Sequence, residues 1–354
     1  MVSYNRALLK HLPELIDIQR AVQHAPRGMV DVEILAELRH KDLVLPLLSL
    51  TIGSRDPGSP TFLLVAGVHG LERIGTRVAN SFVKTLINLA RWDKSIQSLL
   101  ATCRLVVVPI VNPIGMYLGR RSNGNGVDLM RNSPVDADIG TSPLLAGGHR
   151  ISARIPWYRG LLGAPMEVEA MSICHLVEEK LALCQQLLIL DVHSGFGAVD
   201  RLWFPYAKTA APFPNLVEVY NLSRLLDKTY PHHIYKVEPQ AKSYTTNGDL
   251  WDYLYDRNLS KTKGDSLRTI IPLTLELGSW LWIKKNPIQA LTALGIFNPL
   301  LPHRTQRILR RHQQLLDFLL RATAAPQAWI YGDLDTQKDK LNLAKERWYK
   351  KLPK

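Results

Sequence analysis

His69 and Glu72 stand three residues apart, directly after the apolar run Phe62–Val68, and His193 follows a second such run, Leu187–Val192. Two histidines and a glutamate converging at strand ends are the ligand set of a catalytic zinc site, which keeps a fourth position open for water. Such a metal acidifies its water and polarises a carbonyl, so a further carboxylate is needed to take the proton and hand it to a leaving amine. Glu276 is the candidate, because it lies inside the otherwise apolar segment Thr269–Leu277, where a carboxylate is costly unless paired. The developing oxyanion needs a fixed positive donor, and Arg120 or Arg121 lies on a suitable loop. The remaining parts of an amide hydrolase are then elements able to hold these groups together.

Both histidine-bearing runs read as strands buried on both faces, as do Arg104–Val111 and Thr269–Leu277, while Leu43–Ile52 reads as a further strand. Helical spacing of Ile74, Val78, Phe82, Leu86 and Leu89 places Glu72 at the start of a helix. Amphipathic helices are expected over Glu167–Leu183 and Arg304–Ala324. The fold class is therefore α/β: a single α/β/α domain with a mixed, largely parallel central sheet covered by helices on both faces. Residues 1–40 read as an N-terminal helical extension, 41–325 as the catalytic domain and 326–354 as a basic C-terminal tail. In such sheets ligands bind beyond the carboxyl ends of the strands. The loop from Asn112 to Asn132, rich in Gly and Asn, has the turn-forming composition of a functional loop; it has no phosphate-cradling Gly-x-x-x-x-Gly-Lys pattern.

With 354 residues, 46% of them hydrophobic, the chain can bury a large core. No run approaches the roughly 18 apolar residues of a membrane span, and neither an export signal nor an anchor is expected at the N-terminus. Three cysteines without a CxxC pair suit a reducing compartment, and the expected location is cytoplasmic. Of the net charge of +13, residues 338–354 supply five, which reads as a solvated tail rather than a specific nucleic-acid element. Basic charge on the body suits an acidic small substrate.

The order His69-x-x-Glu72, Asn112-Pro-x-Gly115, Arg121, Gly126-Val-Asp-x-x-Arg131-Asn132, His193 and Glu276 resembles the zinc carboxypeptidases, the carboxypeptidase A-like or M14 peptidases. Tyr158-Arg-Gly160 with Glu167-x-Glu169, and Asn247-Gly248-Asp249-x-Trp251, are weaker echoes, and the resemblance covers about residues 60–282. It implies one zinc ion held by His69, Glu72 and His193, with Glu276 as general base and Arg121 steadying the carbonyl. It further implies substrate contacts from Arg131, Asn132 and Tyr244, Arg131 gripping a carboxylate through its planar fork. Met130 departs from the family pattern, which has an Asn before that Arg, and a thioether cannot donate to a carboxylate. The expected substrate is therefore a nonstandard amide: a cell-wall peptide, an isopeptide or an N-acyl amino acid. Two other readings are an N-acyl amino acid deacylase similar to the aspartoacylase and succinylglutamate desuccinylase group, and a noncatalytic basic binding protein acting through residues 338–354. Oligomeric state is not readable from the sequence.

Overall fold

Aliphatic runs without polar alternation become inner strands, and the alternating or flanked ones become the margins of one sheet. The computed structural model describes residues 6–261, 268–330 and 334–350. Its strands are β1 (Val30–His40), β2 (Leu43–Gly53), β3 (Thr61–Ala66), β4 (Arg104–Val108), β5 (Gln186–Ser194), β6 (Arg201–Phe204), β7 (Lys236–Pro239) and β8 (Thr269–Leu277). Helices α1 (Arg6–His11) and α2 (Pro13–Gln23) precede them. Helices α3 (Arg73–Leu89), α4 (Lys94–Thr102), α5 (Pro113–Leu118), α6 (Val168–Leu183), α7 (Leu216–Thr229) and α8 (Leu250–Lys261) are interspersed. After β8 come α9 (Trp280–Lys285), α10 (Ala293–Phe297), α11 (Pro302–Ala324) and α12 (Leu334–Tyr349).

The sheet runs β1-β2-β4-β3-β5-β8-β6-β7 and is mixed. Its centre, β4-β3-β5-β8, is parallel, while β1 with β2, β2 with β4, and β6 with β8 pair antiparallel. Every residue of β3 and β4 is buried, so both faces are covered. Helices α3 and α11 pack on each other and on β3 and β5; α6 packs on β5 and α8, and α8 on β8. Strand β3 has its successor β4 on one side and β5 on the other, so the connections diverge between β3 and β5. A crevice opens at such a point, at the carboxyl ends of the strands.

Two expectations fail. Within the expected helical extension 1–40, the described residues are helical only over Arg6–His11 and Pro13–Gln23; Val30–His40 is the edge strand β1, paired along its length with β2. Val30-Asp31-Val32-Glu33-Ile34 alternates with the period of a strand, but the helix formers that follow, Leu35 to Leu38, mask it, and pairing with β2 overrides their propensity. Residues 334–349 are not a solvated tail but helix α12, packed on α7. Its Trp348 is buried, donates from Nε1 to the Val237 carbonyl at 2.8 Å and meets the Phe204 ring edge-on. The three cysteines are buried free thiols.

Helix α3 lies so close to β5 that a Cβ on Gly75 would come 2.5 Å from the Val192 carbonyl oxygen. Backbone cannot yield cheaply there, so Gly75→Ala is expected to cost about 1–3 kcal/mol, as overpacking does. A urea denaturation midpoint equal to that of the unsubstituted protein would contradict this close approach.

Candidate active site

His69 leaves β3 by a turn that only glycine completes: a Cβ on Gly70 would lie 2.2 Å from the Gly115 carbon and the Met116 nitrogen. Glu72 occupies the cap position of α3, and His193 is the penultimate residue of β5, the strand beside β3. All three are buried, and their donor atoms lie within 4.8 Å of one another. His69 Nδ1 is 2.8 Å from Glu72 Oε1, His193 Nδ1 is 3.1 Å from Glu72 Oε2, and the two Nδ1 atoms are 3.2 Å apart. Tetrahedral bonds to zinc of about 2.0–2.1 Å set donors about 3.3 Å apart. The set fits.

The far ring nitrogens explain why Nδ1 faces the centre. His69 Nε2 lies 3.1 Å from Asp128 Oδ1, and His193 Nε2 lies 2.7 Å from Asp191 Oδ2. A carboxylate accepts from Nε2–H, which leaves the Nδ1 lone pairs pointing at each other and at Glu72. With both imidazoles neutral, two converging lone pairs and a carboxylate make a donor set suited to a cation. Burial alone would raise the pKa of Glu72, but the two histidines outweigh it and hold the group well below the usual carboxylate range. Against burial, Arg121 and His69 hold Asp128 low, and Asp191 and Glu72 hold His193 well above the usual histidine range.

Glu276 faces this cluster from β8, where it pairs in register with His193, and its Oε1 accepts the Phe196 backbone N–H at 3.0 Å. Burial first, then repulsion from Glu72, pushes its carboxyl up to about 8. Arg121 donates to Asp128 at 2.8 Å and to Glu72 at 3.2 Å. The motifs around it are mechanical: Asn112 caps α5 through Gly115 N and donates to the carbonyls of Val68 and Arg121. Asn123 ties its loop to Glu167 and Glu169.

His69, Glu72, His193, Glu276, Arg121, Arg131 and Tyr244 share the wall of one cavity of about 630 Å³, with buried Met130 among them. Arg120 is exposed and outside that wall, so Arg121 is the donor at the site. The Arg131 guanidinium donates from Nε and Nη2 to the Ala146 carbonyl and from Nη1 to that of Met130, and it also interacts with the Tyr244 hydroxyl. Tyr244 packs its ring on Phe196 and Trp203, and burial raises its hydroxyl pKa. Asn132 is not brought to the cavity: its amide donates to the Arg159 carbonyl and accepts Glu167 N–H, which spends it on the loop behind. The sequence reading missed Asp128 and Asp191. Asp191 carried the signal that singled out Glu276, an acid inside a buried apolar strand, two residues before His193 and so on the same face.

A sequence model described as zinc carboxypeptidase matches residues 44–279, about two thirds of the chain. The chain belongs to the zinc carboxypeptidase family. Among relatives, carboxypeptidase E of Caenorhabditis elegans is 35% identical over 115 residues, covering 29% of this chain and 24% of that protein. Carboxypeptidase M of Mus musculus is 29% identical over 106 residues, covering 27% and 24%. The matched stretches thus span about a quarter of these relatives' own lengths. Thrombin-activatable fibrinolysis inhibitor shares the fold, with a TM-score of 0.65 at 17% identity over 87% of this chain and 72% of the other. The carboxypeptidase A of Helicoverpa armigera does so with a TM-score of 0.61 at 17% identity, over 87% and 71%. Within this zinc carboxypeptidase scaffold the family's sheet carries the cluster at the crevice between β3, β5 and β8.

Removing an imidazole-orienting carboxylate costs metal affinity about 10- to 100-fold in sites of this kind. Asp191→Asn is accordingly expected to weaken zinc binding by that factor in competition with a chromophoric chelator, and unchanged affinity would refute its positioning role.

Proposed function

We propose that this zinc carboxypeptidase family member is a metal-dependent hydrolase of amide bonds in peptides or peptide-like compounds. The observation that carries the reading is that His69, Glu72 and His193 converge from two neighbouring strands with Glu276 facing them from a third, in one cavity. His69, Glu72 and His193 would hold one zinc ion, which when bound supplies an acidified water and a polarised substrate carbonyl.

The chain's own groups do the rest. Glu276, in register with His193 and with an elevated pKa, suits a group that must take a proton from water and give it to the departing amine. Its Oε1 is steadied by Phe196 N–H, which leaves Oε2 for that proton. Arg121, pinned by Asp128 and Glu72, places fixed positive charge beside the carbonyl oxygen as it gains charge. Arg131 forms no carboxylate ion pair within 4.0 Å among the described residues, so its charge and the N–H groups not spent on the carbonyls of Ala146 and Met130 can meet a substrate carboxylate. Met130 beside it adds bulk but no donor, which favours an isopeptide, a cell-wall peptide or an N-acyl amino acid over an ordinary peptide C-terminus.

Glu276→Gln is expected to retain zinc while kcat falls about a hundredfold or more; near-normal turnover would exclude the proton role. Arg131→Met should raise KM about ten- to a hundredfold for substrates ending in a free carboxylate and leave their amidated forms unaffected. An equal effect on both would remove carboxylate recognition from Arg131. Preferential turnover of a simple blocked dipeptide over acyl-amino-acid and wall-peptide substrates would reject the nonstandard-amide reading.

A further inference from the structure

Two segments contribute to the cavity wall. Residues 139–166 contribute Pro143, Ala146, Pro156 and Trp157, and residues 280–300 contribute Ala293 and Phe297. The second is tied to β5 and to the His69–Glu72 turn, since Ser194 donates to the Phe297 carbonyl and Asn298 donates to the Leu71 carbonyl. Each also sends large apolar side chains outward. Leu144, Leu161, Leu162, Trp280, Ile288 and Leu291 are between 55% and 96% exposed. Single exposed leucines are ordinary, but two segments that line one cavity and together expose six large apolar side chains offer a surface that something can cover.

Charge identifies the occupant. Residues 139–166 contain no Asp or Glu, and neither do residues 277–316. Arg154, Lys284 and Lys285 are exposed among the apolar side chains. A second copy related by a two-fold axis would set the cationic side chains of these segments against themselves, which is repulsive. Leucine, isoleucine and tryptophan interspersed with Lys and Arg, on segments with no carboxylate of their own and with the nearest exposed acids, Asp136 and Asp138, just before the first, match the boundary of an anionic bilayer, where the apolar side chains enter the acyl region and the cations meet headgroups. Among the described residues no helix is long and apolar enough to cross a membrane, so such contact is with the surface.

We propose that the rim of the cavity docks on an anionic lipid surface, with the cavity mouth toward the interface, so that substrates held at that interface reach the site directly. The docking rests on the rim's composition and exposure alone, while the delivery of substrates to the site rests on the proposed hydrolysis.

The test is co-sedimentation of the full chain with vesicles of phosphatidylcholine alone and of equal parts phosphatidylcholine and phosphatidylglycerol. Binding to the anionic vesicles is expected to exceed binding to the neutral ones about tenfold or more and to weaken with added salt. The doubly substituted Leu162→Asp, Leu291→Asp protein is expected to lose that binding about tenfold or more while keeping its melting temperature, since both side chains are exposed. Substituting Lys338, Lys340 and Lys345 by Ala is expected to leave binding in place. Equal binding to both vesicles, binding that survives the Leu substitutions, or binding that vanishes with the three lysines would each overturn the proposal. So would a dimer in sedimentation velocity that Leu291→Asp dissociates, because the rim would then be a contact between copies.

Discussion

Four ionisable side chains, His69, Glu72, His193 and Glu276, are buried against one another where three parallel strands end. Two carboxylates and two imidazole lone pairs cannot share a dry volume without positive charge, because removing each from water costs several kcal/mol. Arg121 supplies part of that charge from the side, bonded to Glu72 and Asp128. What remains uncompensated is the point between the two Nδ1 atoms and Glu72, where a divalent cation would balance the site.

The rest of the structure serves that constraint. Strand order places β5 between β3 and β8, so a residue at each carboxyl end reaches the same volume. The loops that close the site are held by backbone fit as much as by side chains. A Cβ on Gly248, which has φ of +71°, would lie 1.9 Å from the Arg131 carbonyl oxygen, so the turn carrying Asn247 and Asp249 sits directly on the Arg131 loop. Ser133 N–H donates to the Gly248 carbonyl and Gly248 N–H to that of Val135, which fixes Arg131 relative to the Tyr244 side of the cavity. Asp128 joins both halves: its side chain holds His69 and Arg121, and its oxygen also accepts Met130 N–H at the turn leading to Arg131.

The parts most legible in the sequence were those governed by continuous burial. The strand carrying Glu276 spans the segment read for it, and helix α3 begins one residue before the apolar periodicity did. The His69, Glu72 and His193 set was readable because His69-x-x-Glu72, weak by itself, is followed in order by His193 at the end of a second buried run and by Glu276 inside a third. Asn132 was misplaced because a residue next to a functional one inherits its motif but not its direction: Arg131 turns inward and Asn132 outward, toward Arg159 and Glu167. Strand β1 and helix α12 were hidden for a related reason. Their identities are decided by partners far along the chain, β2 for the one and the Val237 carbonyl and Phe204 ring for the other. Exposed charge on α12 gives no local sign of the buried Trp348 that anchors it.

The central claim is that the His69, Glu72 and His193 cluster is a metal centre, and metal analysis of the purified full chain tests it most directly. One tightly held zinc per chain, removable by a chelator and restored by saturable titration with zinc, is the result the structure predicts. A chain that is isolated without metal and shows no saturable zinc binding by calorimetry would contradict it.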